Sequence, residues 1–301
     1  MGETISTWLR VSRANFLPAS LLPFSLGSAL AAREGRFAPF RFLLGSATVA
    51  AVHLAANLFN EYWDHLLEAD AHGKDRAAHF GGSKSIQEGL VSPRQVRAAA
   101  ALCLAAGLAG GGVLALAFRS LASFLFVGAG CLLAWAYTAR PFSLAYHGLG
   151  EAAVFAAFGL LLVNGGYLVQ TGRISAPSLL LSFPSGLLIS AVLLVNEIAD
   201  AENDRKVGKN NWAARWGGEI CRRLVGIFTL GAFLFPILGW LSRILPFSFL
   251  AILAALAPAI AALRALRSAV TSGTGFEKSS ARMISFYTIY HAAFIAIILV
   301  L

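Results

Sequence analysis

Long apolar stretches alternate with short segments that carry most of the charge in this chain. Nine stretches of 17–21 residues stand out: 16–32, 42–62, 98–117, 121–138, 152–169, 177–197, 224–241, 246–264 and 284–301. About 20 apolar residues, wound as a helix, cross the hydrocarbon core of a bilayer. The pattern therefore predicts an all-α integral membrane protein of about nine transmembrane helices. The first stretch contains Pro18 and Pro23 and runs into AAREGR without a small-residue cleavage site, so it reads as a helix and not as a removable signal. No low-complexity linker interrupts the chain. We expect a single polytopic domain over 1–301, with polar loops near 64–97, 137–151, 198–223 and 265–283.

Composition sharpens this reading. Hydrophobic residues make up 57% of the 301 residues and charged residues only 13%, where a soluble domain carries about 25% charged. So few charges leave a soluble fold of this size with large apolar patches, and so much apolar surface argues against disorder. The net charge of +9 is assigned to basic cytoplasmic loops and not to nucleic acid, because positive residues collect on the cytoplasmic side of membrane proteins. With the N-terminus inside and nine crossings, 18 of the 24 Lys and Arg residues fall in cytoplasmic segments. The expectation is a multi-pass protein of a bacterial cytoplasmic membrane, N-terminus in and C-terminus out. Cys103, Cys131 and Cys221 form no CxxC pair and read as small buried hydrophobes. Glycines within the stretches, such as Gly110 to Gly112, read as close helix contacts.

The acidic residues are concentrated. Eleven of 15 lie in two windows, from Glu61 to Glu88 and from Glu197 to Glu219, each starting at the end of an apolar stretch. Acids at membrane depth are costly and mark functional sites by default. In NLFNEYWDHLLEAD (57–70), Asn57, Asn60, Glu61 and Asp64 share one helix face, with Asp70 just beyond. In NEIADAENDRKVGK (196–209), Asn196, Asp200, Asn203 and Asp204 do the same. Carboxylates one turn apart repel unless a cation lies between them. Hard oxygen ligands without clustered Cys or His favour Mg²⁺. His65, His72 and His79 lack the spacing of a zinc site. Basic residues follow each window: Lys74, Arg76 and Lys84, then Arg205, Lys206 and Lys209, with Arg140 after the fourth stretch. Acids facing Lys and Arg suit a metal–diphosphate, in which the metal bridges protein and ligand oxygens. His53, Asn164 and His291 read as interhelical hydrogen bonds, and Trp63 and Tyr146 as interface anchors.

The two acid motifs, after the second and sixth of nine helices, resemble the UbiA superfamily of intramembrane prenyltransferases. FGLLLVNGGYLVQTG (158–172) adds to the resemblance, and GGSKSIQEG (81–89) and AYHGLGE (145–151) bring it closest to the branch that prenylates 1,4-dihydroxy-2-naphthoate in menaquinone synthesis. It extends to residue 217; the last third is similar only as apolar helices. The resemblance implies helices around a central cavity, cytoplasmic cap loops, a polyprenyl diphosphate donor, an aromatic acceptor and Mg²⁺. It implies a metal role for Asp64, Asp70, Asp200 and Asp204, with Asn57, Asn60, Glu61 and Asn196 assisting. Lys84, Arg140, Arg205, Lys206 and Tyr137 would hold the diphosphate, and Arg13 and Asn164 the acceptor. Glu61 stands where the family usually has Asp, Glu197 where it often has Asn, and Asn210-Asn211-Trp212 replaces more usual residues. The alternatives are another acceptor (hydroxybenzoate, homogentisate, chlorophyllide, haem or glycerol phosphate) or, in a different class, an ion-coupled transporter built on a weak repeat of the two windows. The basic residues beside each acid set favour the enzyme.

Overall fold

A computed structural model describes residues 2–67 and 83–301. Asp70 and the histidines at 72 and 79 lie outside the described residues. All regular elements among the described residues are helical. An amphipathic helix, α1 (Gly2–Val11), precedes α2 (Leu17–Arg33), α3 (Pro39–Leu66), α4 (Pro93–Phe118) and α5 (Leu121–Ala136). The next crossing is composite: α6 (Gly150–Val154), a π-helical turn over Phe155–Leu161, and α7 (Leu162–Thr171). After it come α8 (Ala176–Lys206), the short α9 (Trp212–Trp216), α10 (Gly218–Gly231), α11 (Leu234–Leu241), a 3₁₀ segment over Phe247–Ala255, α12 (Leu256–Ser272) and α13 (Phe276–Val300).

Eight helical segments among the described residues are long and apolar enough to cross a membrane, and the 16-residue α5 is the ninth, shorter crossing. Each coincides with one of the nine stretches read from the sequence. The helices overrun those stretches at the polar ends. α3 carries Glu61 and Asp64, and α8 carries Glu197 to Asp204, as continued helix, because helical hydrogen bonding persists where hydropathy fails. The segment 265–283, expected as a cap loop, is helical except for a turn at 273–275. Local signals set several starts: Ser92 with Gln95 forms a capping box at α4, and Ser175 with Ser178 does so at α8, each followed by a proline in the first turn.

The larger apolar core runs through α2, α7, α8, α10, α12 and α13, and a second joins α1, α3 and α4. Close contact between α2 and α7 depends on two glycines. A Cβ on Gly166 would collide with the Phe24 carbonyl, and one on Gly27 with the Val163 carbonyl. Gly166→Val will lower the unfolding midpoint in detergent, by about 1–3 kcal/mol of lost stability. Gly165→Ala, whose added methyl meets only Phe126 at 3.8 Å, will leave it unchanged. Equal midpoints for the two variants would refute this packing account. The π turn lies opposite, where Gly159 abuts the Gly186 backbone of α8. It widens the helix so that Ala157, Phe158 and Leu161 face the interior.

Candidate active site

Between α2, α3, α5, α7, α8 and α13 lies a cavity of about 400 Å³. Its interior is walled by side chains such as Phe24, Val52, Phe126, Phe158, Leu162 and Val192. One end is polar. There α3 contributes Asn57, Asn60 and Asp64, and α8 contributes Asn196, Glu197, Asp200 and Asp204. The two acid windows, 136 residues apart from Asp64 to Asp200, thus share one chamber.

The carboxylates are held in place. Tyr146 OH donates to Asp64 Oδ1 at 2.7 Å, and Asn211 Nδ2 donates to Asp204 Oδ2 at 2.7 Å. Asn57 Nδ2 donates to the Ser12 carbonyl at 2.9 Å, and Ser280 Oγ donates to Asn196 Oδ1 at 2.7 Å. Two loops cooperate at this end. Asn210 N donates to Tyr146 O, Trp212 Nε1 to Gly148 O, and Arg215 Nη2 to His147 O. These bonds seat Tyr146 beside the segment after α8. Tyr146 is therefore a buried partner of Asp64, not an interface anchor.

The basic residues sort differently from expectation. Lys209 lines the cavity, with Nζ 3.9 Å from Asp204 Oδ2 and 5.7 Å from the centre of the Tyr146 ring. Burial alone would lower its pKa, but Asp204, Asp64, Tyr137 and Glu197 together hold it above the ordinary lysine value. Its ammonium therefore stays charged at neutral pH. Tyr137 also lines the cavity, and burial, reinforced by Glu197, keeps its phenol protonated. Lys84, Arg140, Arg205 and Lys206 do not line the cavity. Arg205 instead donates from Nε and Nη2 to the Ala214 carbonyl at 3.1 and 2.8 Å, securing α9. Arg140 and Lys206 are exposed, and Lys84 sits in a turn with φ 57°.

Glu61 also departs from its expected place. A helix turns about 100° per residue, so Asn57, Asn60, Glu61 and Asp64 cover an arc of about 100°. Glu61 sits at one edge of that arc. It accepts from Ser83 N at 2.8 Å and Ser83 Oγ at 2.6 Å, and lies 3.6 Å from Arg13 Nη2. It fastens the chain at Ser83 and orients Arg13, which does line the cavity. On α8 Glu197 lines the cavity and Asn203 does not, although both stand about 60° around the helix from Asp200. Asn164 is buried outside the cavity wall. Its Nδ2 donates to Leu160 O, and its Oδ1 accepts from Ser178 Oγ. That is the interhelical role read from the sequence. Sequence reasoning leaves Lys209 and Glu197 out of the site because basic runs and helix-end acids look alike in sequence, and helical angle does not separate Glu197 from Asn203.

Among the described residues no three acids, His or Cys form a ready-made metal cage. The donor set nevertheless suits Mg²⁺. It consists of hard carboxylate and amide oxygens at two walls of one chamber, and Mg²⁺ characteristically takes one or two carboxylates and completes its shell with water and substrate phosphate.

The chain matches the model of the UbiA prenyltransferase family over residues 20–299. It is similar to the 1,4-dihydroxy-2-naphthoate octaprenyltransferase of Haemophilus influenzae, 34% identical over 224 residues, covering 72% of this chain and 71% of that one. It is also similar to the Escherichia coli protein of the same name, 30% identical over 234 residues, covering 75% and 73%. Among solved structures, a UbiA homolog from Aeropyrum pernix K1 superposes with TM-score 0.71 at 19% identity, covering 93% of this chain and 96% of that one. A UbiA homolog from Archaeoglobus fulgidus bound to DMAPP and Mg2+ superposes with TM-score 0.68 at 17% identity, covering 98% and 100%, and this likeness concerns the fold. With two acid-bearing helices meeting over an apolar cavity in a bundle of membrane helices, the chain belongs to the UbiA prenyltransferase family.

Proposed function

We propose that this prenyltransferase moves a polyprenyl group from a polyprenyl diphosphate to 1,4-dihydroxy-2-naphthoate, as in menaquinone biosynthesis. The observation that carries the reading is one chamber with two different ends. Carboxylates, asparagines and Lys209 gather at the polar end, and a long apolar interior continues from it. An isoprenoid diphosphate has the same two-part character. The names of the similar bacterial proteins, at 30–34% identity, support the naphthoate as acceptor.

Asp64, Asp200 and Asp204, with Asn57, Asn60 and Asn196, would hold Mg²⁺; Asp70 is proposed to join them from outside the described residues. When bound, the ion supplies neutralisation of charge on the departing diphosphate. Lys209 faces the same oxygens as a fixed cation. Tyr146 and Asn211 keep Asp64 and Asp204 aimed, so little reorganisation is needed as charge develops. The allylic carbon–oxygen bond breaks with its electron pair going to the diphosphate oxygen. The apolar wall excludes water from the allylic carbon. The acceptor ring forms the new carbon–carbon bond, and its carboxylate departs as CO₂, leaving its bonding pair to restore the ring. Arg13 is suited to receive that carboxylate before it leaves, oriented by Glu61. The lipid bilayer surrounds the apolar faces. The bias of Lys and Arg supports placing the polar end, and the N-terminus, on the cytoplasmic side.

Purified protein incubated with Mg²⁺, geranylgeranyl or longer diphosphates and a panel of aromatic acceptors tests this. The expected product is the naphthalenediol whose mass is that of the carboxylate anion plus the prenyl cation minus carbon dioxide, and its formation stops on chelation of divalent ions. Product only with hydroxybenzoate, homogentisate or another acceptor overturns the naphthoate assignment. Full activity in chelator overturns the metal assignment.

A further inference from the structure

One titratable side chain on the cavity wall takes no part in the mechanism above. His53 projects from α3 one turn before Asn57, which places it about 6 Å along the helix axis towards the apolar interior. Its Nδ1 shares a hydrogen bond with Ser20 Oγ of α2, and both residues line the cavity. That bond links two helices, the structural role expected from the sequence. It accounts for only half of the imidazole. The Nε2 atom is buried and has no hydrogen-bond partner among the described residues. The contrast with His291 is direct: its Nδ1 meets the Tyr287 carbonyl and its Nε2 meets Ser185 Oγ, so that both nitrogens are satisfied within the bundle. A buried ring nitrogen left unpaired is costly, and such atoms call for an explanation.

The surroundings of His53 suit a flat aromatic molecule. Phe158 of the π turn meets the imidazole edge-on, with centroids 6.1 Å apart, and Phe16 lies on the same cavity wall as Arg13. Arg13 and His53 flank the level of Asn57, whose Nδ2 is bonded to the carbonyl of Ser12, the neighbour of Arg13. We propose that the His53–Ser20 pair is a recognition site for the ring hydroxyl of the aromatic acceptor that lies away from its carboxylate, held at Nε2 of His53. The inference rests on the prenyl-transfer reading and deepens it by assigning how the acceptor is selected.

The chemistry favours a hydroxyl over other substituents. If Ser20 donates to Nδ1, Nε2 carries the proton and donates; if Nδ1 donates to Ser20, Nε2 accepts. A phenolic hydroxyl both donates and accepts, so it satisfies either tautomer. A carbonyl oxygen satisfies only one. The pair therefore distinguishes a hydroxylated ring from one lacking the group.

The experiment compares 1,4-dihydroxy-2-naphthoate with 1-hydroxy-2-naphthoate, which lacks one ring hydroxyl, in the wild type and in His53→Leu, His53→Gln and Ser20→Ala. In the wild type, KM for the monohydroxy acid should be about tenfold higher, the worth of one hydrogen bond left unmade. In His53→Leu the two acceptors should become equivalent within about twofold, while KM for the prenyl diphosphate stays at its wild-type value. His53→Gln, which restores a donor and an acceptor, should recover most of the discrimination, and Ser20→Ala should retain part of it. A purely structural His53 would lower stability or kcat without touching the ratio of the two KM values. An unchanged ratio in His53→Leu overturns the proposal. If the wild type prenylates neither naphthoate but another phenol, the naphthoate reading fails, and the same ratio measured on that phenol and its deoxy analogue decides the role of His53.

Discussion

Alanine in place of Asp64 or Asp200 will lower the rate of prenyl transfer by about 10²–10³-fold, with the larger loss for the pair replaced together. Each residue lies on a different wall of the cavity, one on α3 and one on α8. Both line the chamber that a metal–diphosphate would fill. Removing either would leave a bound ion with one charged oxygen fewer. Asn substitutions keep the shape and remove the charge, so they separate the two contributions. If the loss is electrostatic, Asp64→Asn will be nearly as slow as Asp64→Ala. The measurement is initial rate against Mg²⁺ concentration, and the metal requirement should move upward in both variants. Retention of more than about a tenth of wild-type activity in either Ala variant would remove the carboxylates from the mechanism.

Lys209→Met will reduce the rate by about 10²-fold through loss of a fixed cation facing the leaving group, and Lys209→Arg will restore part of it. The contrast lies with the exposed basic residues. Arg140→Gln and Lys206→Gln should each change the rate by less than about fivefold, since an exposed charge contributes under about 1 kcal/mol. Arg205→Gln should act on stability, because its guanidinium secures the Ala214 carbonyl and does not reach the cavity. The readouts are the rate constant and donor KM for Lys209 and the unfolding midpoint for Arg205. An unaffected Lys209→Met together with an inactive Lys206→Gln would reverse the assignment and place the diphosphate outside the chamber.

The contrast between Lys209 and Lys206 also shows why reading the chain stops where it does. Both stand in one basic run, three residues apart, and both follow Asp204. Nothing in residue type separates them. What separates them is that the helix ends at Lys206 and the chain then turns, so that Lys209 folds back over Asp204 and Tyr146. Glu61 and Asp64 differ in a comparable way. The periodicity assigned both to one face, but the face is broad, and the neighbour at its edge is Ser83, which no local pattern announces. Asn164 and His53 likewise read the same from sequence, as polar residues within apolar helices. Asn164 is satisfied on both sides, whereas His53, a residue of the cavity wall, keeps one buried nitrogen without a partner among the described residues.

What the sequence determined by itself is the class of molecule and its reactive ends. Apolar length dictates the crossings, because an unpaired backbone amide in hydrocarbon is too costly for anything but helices here. The density of acids at the ends of α3 and α8 marks the chemistry, because carboxylates at that depth demand a partner. The tertiary structure decided which residues face the chamber. That choice depends on where helices stop, which side chains the π turn of the fifth crossing presents, and which loops touch across more than sixty residues of chain. These are long-range packing outcomes, and local periodicity carries no record of them.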